Sequence, residues 1–173
     1  QDKFASFEKE AAHAASLGQV HAATLHDGRT VACKLQYPDM ASAVESDVGQ
    51  LKTILGLFRR MDGSIDPTQM VGEITDRLRE ELDYGREAKH MALYAHMLAS
   101  YDFVSVPEPV RDLSTDRLLT MTWLSGQRLT AFEDASQEVR NRIAEMLFWT
   151  WWGPFNAYAV IHGDPHLGNY QVT

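Results

Sequence analysis

The segment QVHAATLHDGRTVACKLQY, residues 19–37, constrains the fold more than any other part of the chain. It has the pattern of two strands separated by Asp27-Gly28, a dipeptide typical of β-hairpin turns. Pro38 closes the second strand. The residues that follow have helical spacing instead, with apolar side chains at positions 44, 48, 51, 55 and 58. The sequence therefore predicts antiparallel strands followed by a helix.

The rest of the chain continues this mixture of helices and extended segments. Asp66 before Pro67 is a plausible helix start. The predicted elements are a long helix over about 67–99, an extended segment at 103–113, a strand at 116–124 bounded by Ser125-Gly126, and a helix at 136–160 perturbed at Gly153-Pro154. This order predicts an α+β fold with two lobes joined near residues 122–126.

Composition excludes several classes of protein. A net charge of −8 provides no general basic surface, so nucleic acid is not an expected partner. Cys33 is the single cysteine, which excludes an internal disulfide and favours a reducing compartment. No run of about 18 apolar residues is present, and the first residues lack the apolar core of a signal peptide.

A turn of small residues, HAASLGQVH, precedes the hairpin. Backbone N–H groups in such a turn can approach an anion closely, and Lys34 on the neighbouring strand could reach the same phosphates. Val20, Gly18 and the sequence VACK fit the protein-kinase signature, whereas His13 and Ala15 stand where its first two glycines would be. The alternative is a plain hairpin with a lysine that faces solvent.

The segment REELDYGREAKH carries a group of carboxylates. Asp83 and Glu87 are four residues apart and would share one face of a helix. Such a face could supply the carboxylate that a buried Lys34 needs. The alternative is a solvated helix face whose acids have basic neighbours.

The sequence HGDPHLGN, residues 162–169, is a candidate catalytic loop. Phosphoryl transfer uses an aspartate that orients the nucleophile and an asparagine that binds magnesium, five residues apart in the kinase loop. Asp164 and Asn169 have this spacing, and His162 lies two residues before the aspartate. A metal site formed by His162, Asp164 and His166 would lack a fourth ligand. A chance histidine-rich turn is the remaining alternative.

Taken in order, these motifs resemble those of the AarF/UbiB (ADCK-like) atypical kinases. AASLGQVH is similar to that family's alanine-rich loop, and ELDYGREA to its E-x-D motif, with Glu81 and Asp83 as the pair. Glu87 then matches the carboxylate that pairs with the strand lysine, Lys34, and HGDPHLGN resembles the catalytic loop. The similarity extends from about residue 11 to residue 170.

The resemblance implies a protein-kinase-like fold that binds ATP or ADP with Mg²⁺ between two lobes. Residues 1–122 would form the N-terminal lobe, and residues 123–173 the hinge and the start of a helical C-terminal lobe. Lys34 would hold the α- and β-phosphates, with Glu87 orienting it. Asp164 would be the catalytic base or orienting group, and Asn169 a magnesium ligand.

The resemblance also implies nucleotide contacts from the alanine-rich loop, the hairpin and the hinge. Met121 would be the gatekeeper, and Thr122 C=O and Leu124 N–H would meet the adenine. The implied set is Ala14, Ala15, Ser16, Gly18, Gln19, Val20, Ala32, Lys34, Met121 and Leu124.

Three departures from the family pattern bear on activity. His13 occupies the first position of the alanine-rich loop, and neither the K-x-G-Q nor the D-F-G segment is found. The D-F-G aspartate would be the principal magnesium ligand. A kinase-like domain usually needs roughly 250 residues or more. We therefore expect the chain to be truncated and to lack full catalytic competence by itself.

The family's role would be in ubiquinone biosynthesis or related isoprenoid-lipid metabolism, as an ATPase or small-molecule kinase. The expected location is a bacterial cytoplasm, at the inner face of the membrane, with a mitochondrial matrix as the alternative. Partners would be an isoprenoid lipid or a ubiquinone-biosynthesis complex. Membrane association is expected only through parts outside this sequence.

Two other functions remain open. A small-molecule phosphotransferase resembling aminoglycoside and choline kinases would share the H-G-D-x-x-x-x-N loop, although those enzymes lack AASLGQVH and ELDYGREA. A non-catalytic scaffold that senses nucleotide belongs to a different class. The aromatic residues of the last helix are expected to pack against the core of their lobe, with part of this surface exposed because most of that lobe is missing; they are Trp149, Trp151, Trp152 and Phe155.

Overall fold

The structure is a computed structural model that describes residues 3–61 and 68–173. The predicted helix start at Asp66-Pro67 lies outside the described residues. The strands are β1 Ser6–Phe7, β2 His13–Ala15, β3 Gly18–Thr24, β4 Thr30–Gln36, β5 Leu118–Thr122, β6 Gln127–Arg128 and β7 Gln171–Val172. The α-helices are α1 Met40–Met61, α2 Thr68–Leu82, α3 Tyr84–Met97 and α4 Gln137–Tyr158. This content confirms the predicted α+β class.

The chain forms two compact units. One comprises Gln1–Ala88 and Val110–Met121, and the other comprises Lys89–Pro109 and Thr122–Thr173. The sequence had suggested a division into residues 1–122 and 123–173. The last passage of the chain from the first unit to the second, after Met121, lies one residue from that division, but residues 89–109 group with the second unit.

The first unit is built on a sheet with the strand order β1-β3-β4-β5, and β2 also pairs with β3. β3 and β4 are antiparallel, and their register sets Ala23 opposite Val31. Gly28 adopts a φ of 87°, and its N–H donates to Leu25 C=O at 3.0 Å. This left-handed conformation favours glycine, so the hairpin predicted from Asp27-Gly28 is confirmed.

One face of this sheet forms the core of the first unit. The buried residues Ala23, Leu25, Val31 and Cys33 pack together there, with Leu113 and other partly buried residues against them. Since side chains alternate along a strand, Lys34 lies on the opposite face from Cys33. The hairpin therefore separates an apolar core face from a face that carries a charged residue.

The single helix expected over residues 67–99 is wrong, because the chain forms two helices that meet at Asp83. Asp83 Oδ1 accepts a hydrogen bond from Arg86 N at 2.8 Å, an N-cap contact that begins α3. Gln36 Nε2 donates to Leu82 C=O at 2.6 Å, which satisfies a carbonyl at the end of α2. Asp83 therefore lies just before α3 and caps it. The prediction that Asp83 and Glu87 share one helix face is wrong, because Asp83 is outside the helix.

The helix of the second unit continues through Gly153-Pro154 to Tyr158 and ends where Ala159 takes a φ of 55°. Gly153 and Pro154 are buried, and a Cβ at Gly153 would lie 2.6 Å from Tyr101 Oη. The helix therefore continues through the predicted perturbation, and the close contact with Tyr101 leaves no room for a side chain at position 153. The helix aromatics are 36–46% exposed, which departs from the expected packing against the core and agrees with the expected exposure of part of this surface: Trp149, Trp151, Trp152 and Phe155.

None of the helices in the described parts of the chain is long and apolar enough to cross a membrane.

Candidate active site

The first unit brings the strand lysine and the helix carboxylate together. Lys34 Nζ donates to both Oε1 and Oε2 of Glu87, each at 2.8 Å. The side chains are 19% and 34% exposed, respectively, so this charge pair is partly withdrawn from water. The alternative of a plain hairpin with a lysine that faces solvent does not fit this geometry.

The break between α2 and α3 sets the position of Glu87. Glu87 N donates to Asp83 C=O at 3.0 Å, so the glutamate lies in the first turn of α3. Of the predicted E-x-D pair, Asp83 is the cap of that helix, and Glu81 is exposed near the end of α2. The structure thus gives Asp83 a local role in placing the carboxylate that contacts Lys34.

Two of the predicted nucleotide contacts, Val20 and Ala32, share a face with the lysine. The β3–β4 register sets Val20 opposite Lys34 and Ala22 opposite Ala32. Residues directly opposite in antiparallel strands point to the same side of the sheet. The face beside the Lys34–Glu87 pair is therefore made of small and apolar side chains. Gln19 faces the other way, and its Oε1 lies 3.2 Å from His21 Nε2.

The alanine-rich loop is a short hairpin of β2 and β3. Ala14 lies opposite Gln19, and Ala15 lies opposite Gly18, so Ser16-Leu17 forms the turn. A Cβ at Gly18 would lie 2.1 Å from Leu35 C=O. The glycine is therefore required by the close approach of β3 to β4, a reason that the sequence did not reveal.

The predicted hinge residues lie at the boundary between the units. Met121 is half-buried in the first unit. Thr122 begins the second unit, where its N–H donates to Glu108 C=O at 2.9 Å, and Leu124 follows in irregular chain, also half-buried. Their predicted contacts with adenine stay predictions.

The candidate catalytic loop brings its aspartate and asparagine together in the second unit. Asn169 Nδ2 donates to Asp164 Oδ2 at 2.8 Å and to Asp164 C=O at 3.1 Å. Both residues are exposed. These bonds use the amide N–H groups and leave Asn169 Oδ1 as an acceptor beside a carboxylate. Oxygen donors of this kind suit magnesium.

Histidines of the loop hold its backbone. His162 Nδ1 accepts from Asp164 N at 3.2 Å, and His166 Nδ1 accepts from Gly168 N at 3.0 Å. Among the described residues, no group of three histidine, cysteine or acidic side chains could hold a metal ion. His162, Asp164 and His166 do not form such a group in the described part of the chain.

Aromatic residues outside the sequence motifs support this loop. His162 lies edge-on to Tyr94, with 5.4 Å between ring centroids, and 6.0 Å from the ring of Tyr170. Trp151 Nε1 donates to Tyr170 Oη at 2.7 Å. Burial raises the pKa of both tyrosines. The signal available in the sequence was the position of Tyr170, directly after Asn169.

Residues 1–173 match the family described as the ABC1 atypical kinase-like domain. The chain is 34% identical to the mitochondrial atypical kinase coq-8 of Caenorhabditis elegans, covering 98% of this chain and 22% of that protein. It is also 34% identical to AarF domain-containing protein kinase 1 of Mus musculus, covering 99% and 33%, respectively. The chain thus spans a third or less of these two relatives.

A solved structure has the same fold. Rv3197 from Mycobacterium tuberculosis, determined in complex with erythromycin, superposes with a TM-score of 0.86 at 29% sequence identity. The similarity covers 98% of this chain and 43% of Rv3197. This agreement confirms the kinase-like fold that the motifs predicted.

Proposed function

Because the chain belongs to the ABC1 atypical kinase-like family, we propose that it is the nucleotide-binding part of an ATP-dependent phosphotransferase or ATPase. The proposed reaction uses Mg²⁺. The whole protein would support the biosynthesis of ubiquinone or of a related isoprenoid lipid.

The contact between Lys34 and Glu87 is the observation that carries this proposal. A lysine ammonium has three N–H donors, and the two 2.8 Å contacts with Glu87 leave one of them for a phosphate oxygen. The carboxylate balances the charge of a lysine that is 19% exposed. This arrangement supports a lysine that is held in place to contact the α- and β-phosphates.

Asp164 and Asn169 supply the chemistry in this proposal. The Asp164 carboxylate accepts or orients the proton of the attacking hydroxyl or water, as the aspartate of a kinase loop does. Asn169 would hold magnesium through Oδ1, and its Nδ2 keeps the carboxylate in place at 2.8 Å from Oδ2. Magnesium, when bound, neutralises charge that develops on the phosphates.

The proposed location follows from the family resemblance and from the relatives. We propose a bacterial cytoplasm, at the inner face of the membrane, with a mitochondrial matrix as the alternative. The relatives from Caenorhabditis elegans, Rattus norvegicus and Saccharomyces cerevisiae are named mitochondrial. Proposed partners are an isoprenoid lipid or a ubiquinone-biosynthesis complex.

The test is nucleotide turnover by the full-length protein. Phosphate release from ATP is measured with Mg²⁺ and with a chelator, for the wild type and for Asp164→Asn. We expect Mg²⁺-dependent turnover that falls about 10²- to 10⁴-fold in the variant, while ATP binding is retained. Equal turnover by both proteins would contradict the role of Asp164. Binding without turnover in the wild type would favour the nucleotide-sensing scaffold.

A further inference from the structure

Lys34 has a second neighbour besides Glu87. Its Nζ lies over the ring of Tyr84, 5.1 Å from the centroid. Tyr84 is the first residue of α3, three positions before Glu87, and it is only 3% exposed. A single helical turn therefore presents both a carboxylate and an aromatic face to one ammonium group.

The two contacts constrain the ammonium group in different ways. The carboxylate accepts hydrogen bonds and occupies two N–H donors, whereas a ring face attracts the cation through its quadrupole and accepts no conventional hydrogen bond. The Glu87 side chain is 34% exposed, but the Tyr84 ring is enclosed by its surroundings. The ring is therefore the more fixed of the two supports.

Tyr84 remains a neutral phenol at physiological pH. Burial, followed by the charges of Glu87 and Glu81, raises the pKa of its hydroxyl to about 12. The phenol therefore carries no charge that would add a second anion beside Lys34. Its contact with Lys34 is consequently that of a cation with a neutral ring face.

We propose that Tyr84 is a positioning residue for Lys34: its buried ring holds the ammonium in place while leaving an N–H free for a phosphate. The consequence for nucleotide binding rests on the function proposed above. A phosphate that approaches Lys34 accepts from the N–H that Glu87 leaves free, and the ring does not compete for that N–H. Tyr84 thus keeps the lysine in position while this hydrogen bond forms.

The first readout needs no nucleotide. Full-length protein with ¹³C-labelled lysine is examined by NMR, and the ε-methylene signal of Lys34 is assigned by its loss in Lys34→Met. A ring face beside the ammonium shifts this signal upfield. We expect the upfield shift in the wild type and in Tyr84→Phe, and its loss in Tyr84→Leu. Tyr37→Leu, which removes a 38%-exposed tyrosine of the same unit, should leave the signal unchanged.

The second readout is the Kd for ATP with Mg²⁺, measured by calorimetry on the same proteins. We expect Tyr84→Leu to raise the Kd about two- to thirtyfold, and Tyr84→Phe to retain nearly wild-type affinity. If Tyr84→Leu does not fold, trifluorophenylalanine at position 84 replaces it. That residue keeps the ring and its ring current but weakens the attraction of the ring for cations, so the Kd should rise relative to Tyr84→Phe, in the direction expected for leucine.

The outcomes separate this inference from the proposed function. A Lys34 signal without an upfield shift in the wild type, or one unaffected by Tyr84→Leu, overturns the positioning role. If the wild type binds ATP and Tyr84→Leu binds it with equal affinity, the positioning role is also overturned. A wild type that binds no nucleotide overturns the proposed function instead, and the NMR signal then decides the positioning role by itself.

Discussion

Asn169 closes the candidate catalytic loop on Asp164, donating from one amide nitrogen to the carboxylate at 2.8 Å and to the backbone carbonyl at 3.1 Å. The same side chain can therefore fix the carboxylate of the proposed catalytic aspartate and offer its amide oxygen to the proposed magnesium ion. This double use explains why the spacing of five residues matters: the asparagine has to reach both the side chain and the backbone of the aspartate.

Asn169→Ala should weaken the response to magnesium more than the binding of nucleotide. The variant loses both hydrogen bonds to Asp164 and the proposed Oδ1 ligand. We expect the Mg²⁺ concentration for half-maximal turnover to rise by about tenfold or more. Gln137→Ala, which removes an exposed amide at the start of α4, is the matched control and should not change it. An unchanged Mg²⁺ dependence in Asn169→Ala would contradict the ligand role.

Glu87→Gln should affect both stability and nucleotide binding. The amide keeps the shape of the side chain but removes the charge opposite a lysine that is 19% exposed. We expect the free energy of unfolding in urea to fall by about 1 kcal/mol and the affinity for ATP to decrease. Glu73→Gln, in an exposed pair with Arg77, is the control and should leave both unchanged. Equal effects of the two substitutions would argue against a special role for Glu87.

Two glycine substitutions should change stability in opposite directions. At Gly18 an added Cβ would lie 2.1 Å from the backbone oxygen of Leu35, which cannot move without disturbing β4. Gly18→Ala should therefore destabilise the protein by about 2 kcal/mol or more. At Gly49, within α1, a Cβ would meet nothing within 4 Å, so Gly49→Ala should stabilise it by about 0.5–1 kcal/mol. Urea denaturation of both variants measures the difference, and a tolerated Gly18→Ala would contradict the strand packing.

Stability at alkaline pH should depend on Tyr84. Its folded-state pKa of about 12 lies above the ordinary value of 10, so the unfolded chain releases the phenol proton first as pH rises. Ionisation of the tyrosine thus lowers the free energy of unfolding between pH 10 and pH 12. The contribution of the buried, neutral Tyr84 to stability is fully present below pH 10. Tyr84→Phe should reduce the pH dependence of the free energy of unfolding in this interval. The same slope in both proteins would contradict the raised pKa.

The sequence predicted those features that depend on local chemistry. Asp27-Gly28 indicated the hairpin, because a left-handed turn residue leaves a distinct signature. The pairing implied for Lys34 and Glu87 is also present, at 2.8 Å. The helix break at Asp83 was not predicted, because acidic, helix-forming residues continue on both sides of it, and the cap depends on contacts made by the folded chain, including Gln36 with Leu82.

Other features depend on distant parts of the chain and had no local signal. Gly18 resembled a phosphate-loop glycine, but its close neighbour is the carbonyl of Leu35 on another strand. The support of His162 by Tyr94 joins residues 68 positions apart along the chain, from 94 to 162. Gln19 belongs to the motif that predicts nucleotide contacts, yet strand alternation turns its side chain away from Lys34.

The most direct test of the central claim is the effect of ATP on the unfolding of the full-length protein, with Lys34→Ala as the comparison. A nucleotide present at 100 times its Kd should stabilise the folded state by about 2.7 kcal/mol, which a thermal-shift or calorimetric measurement resolves. The account predicts a Mg²⁺-dependent stabilisation of the wild type that is absent from Lys34→Ala. A folded wild type whose unfolding does not respond to ATP or ADP, with or without Mg²⁺, would contradict it.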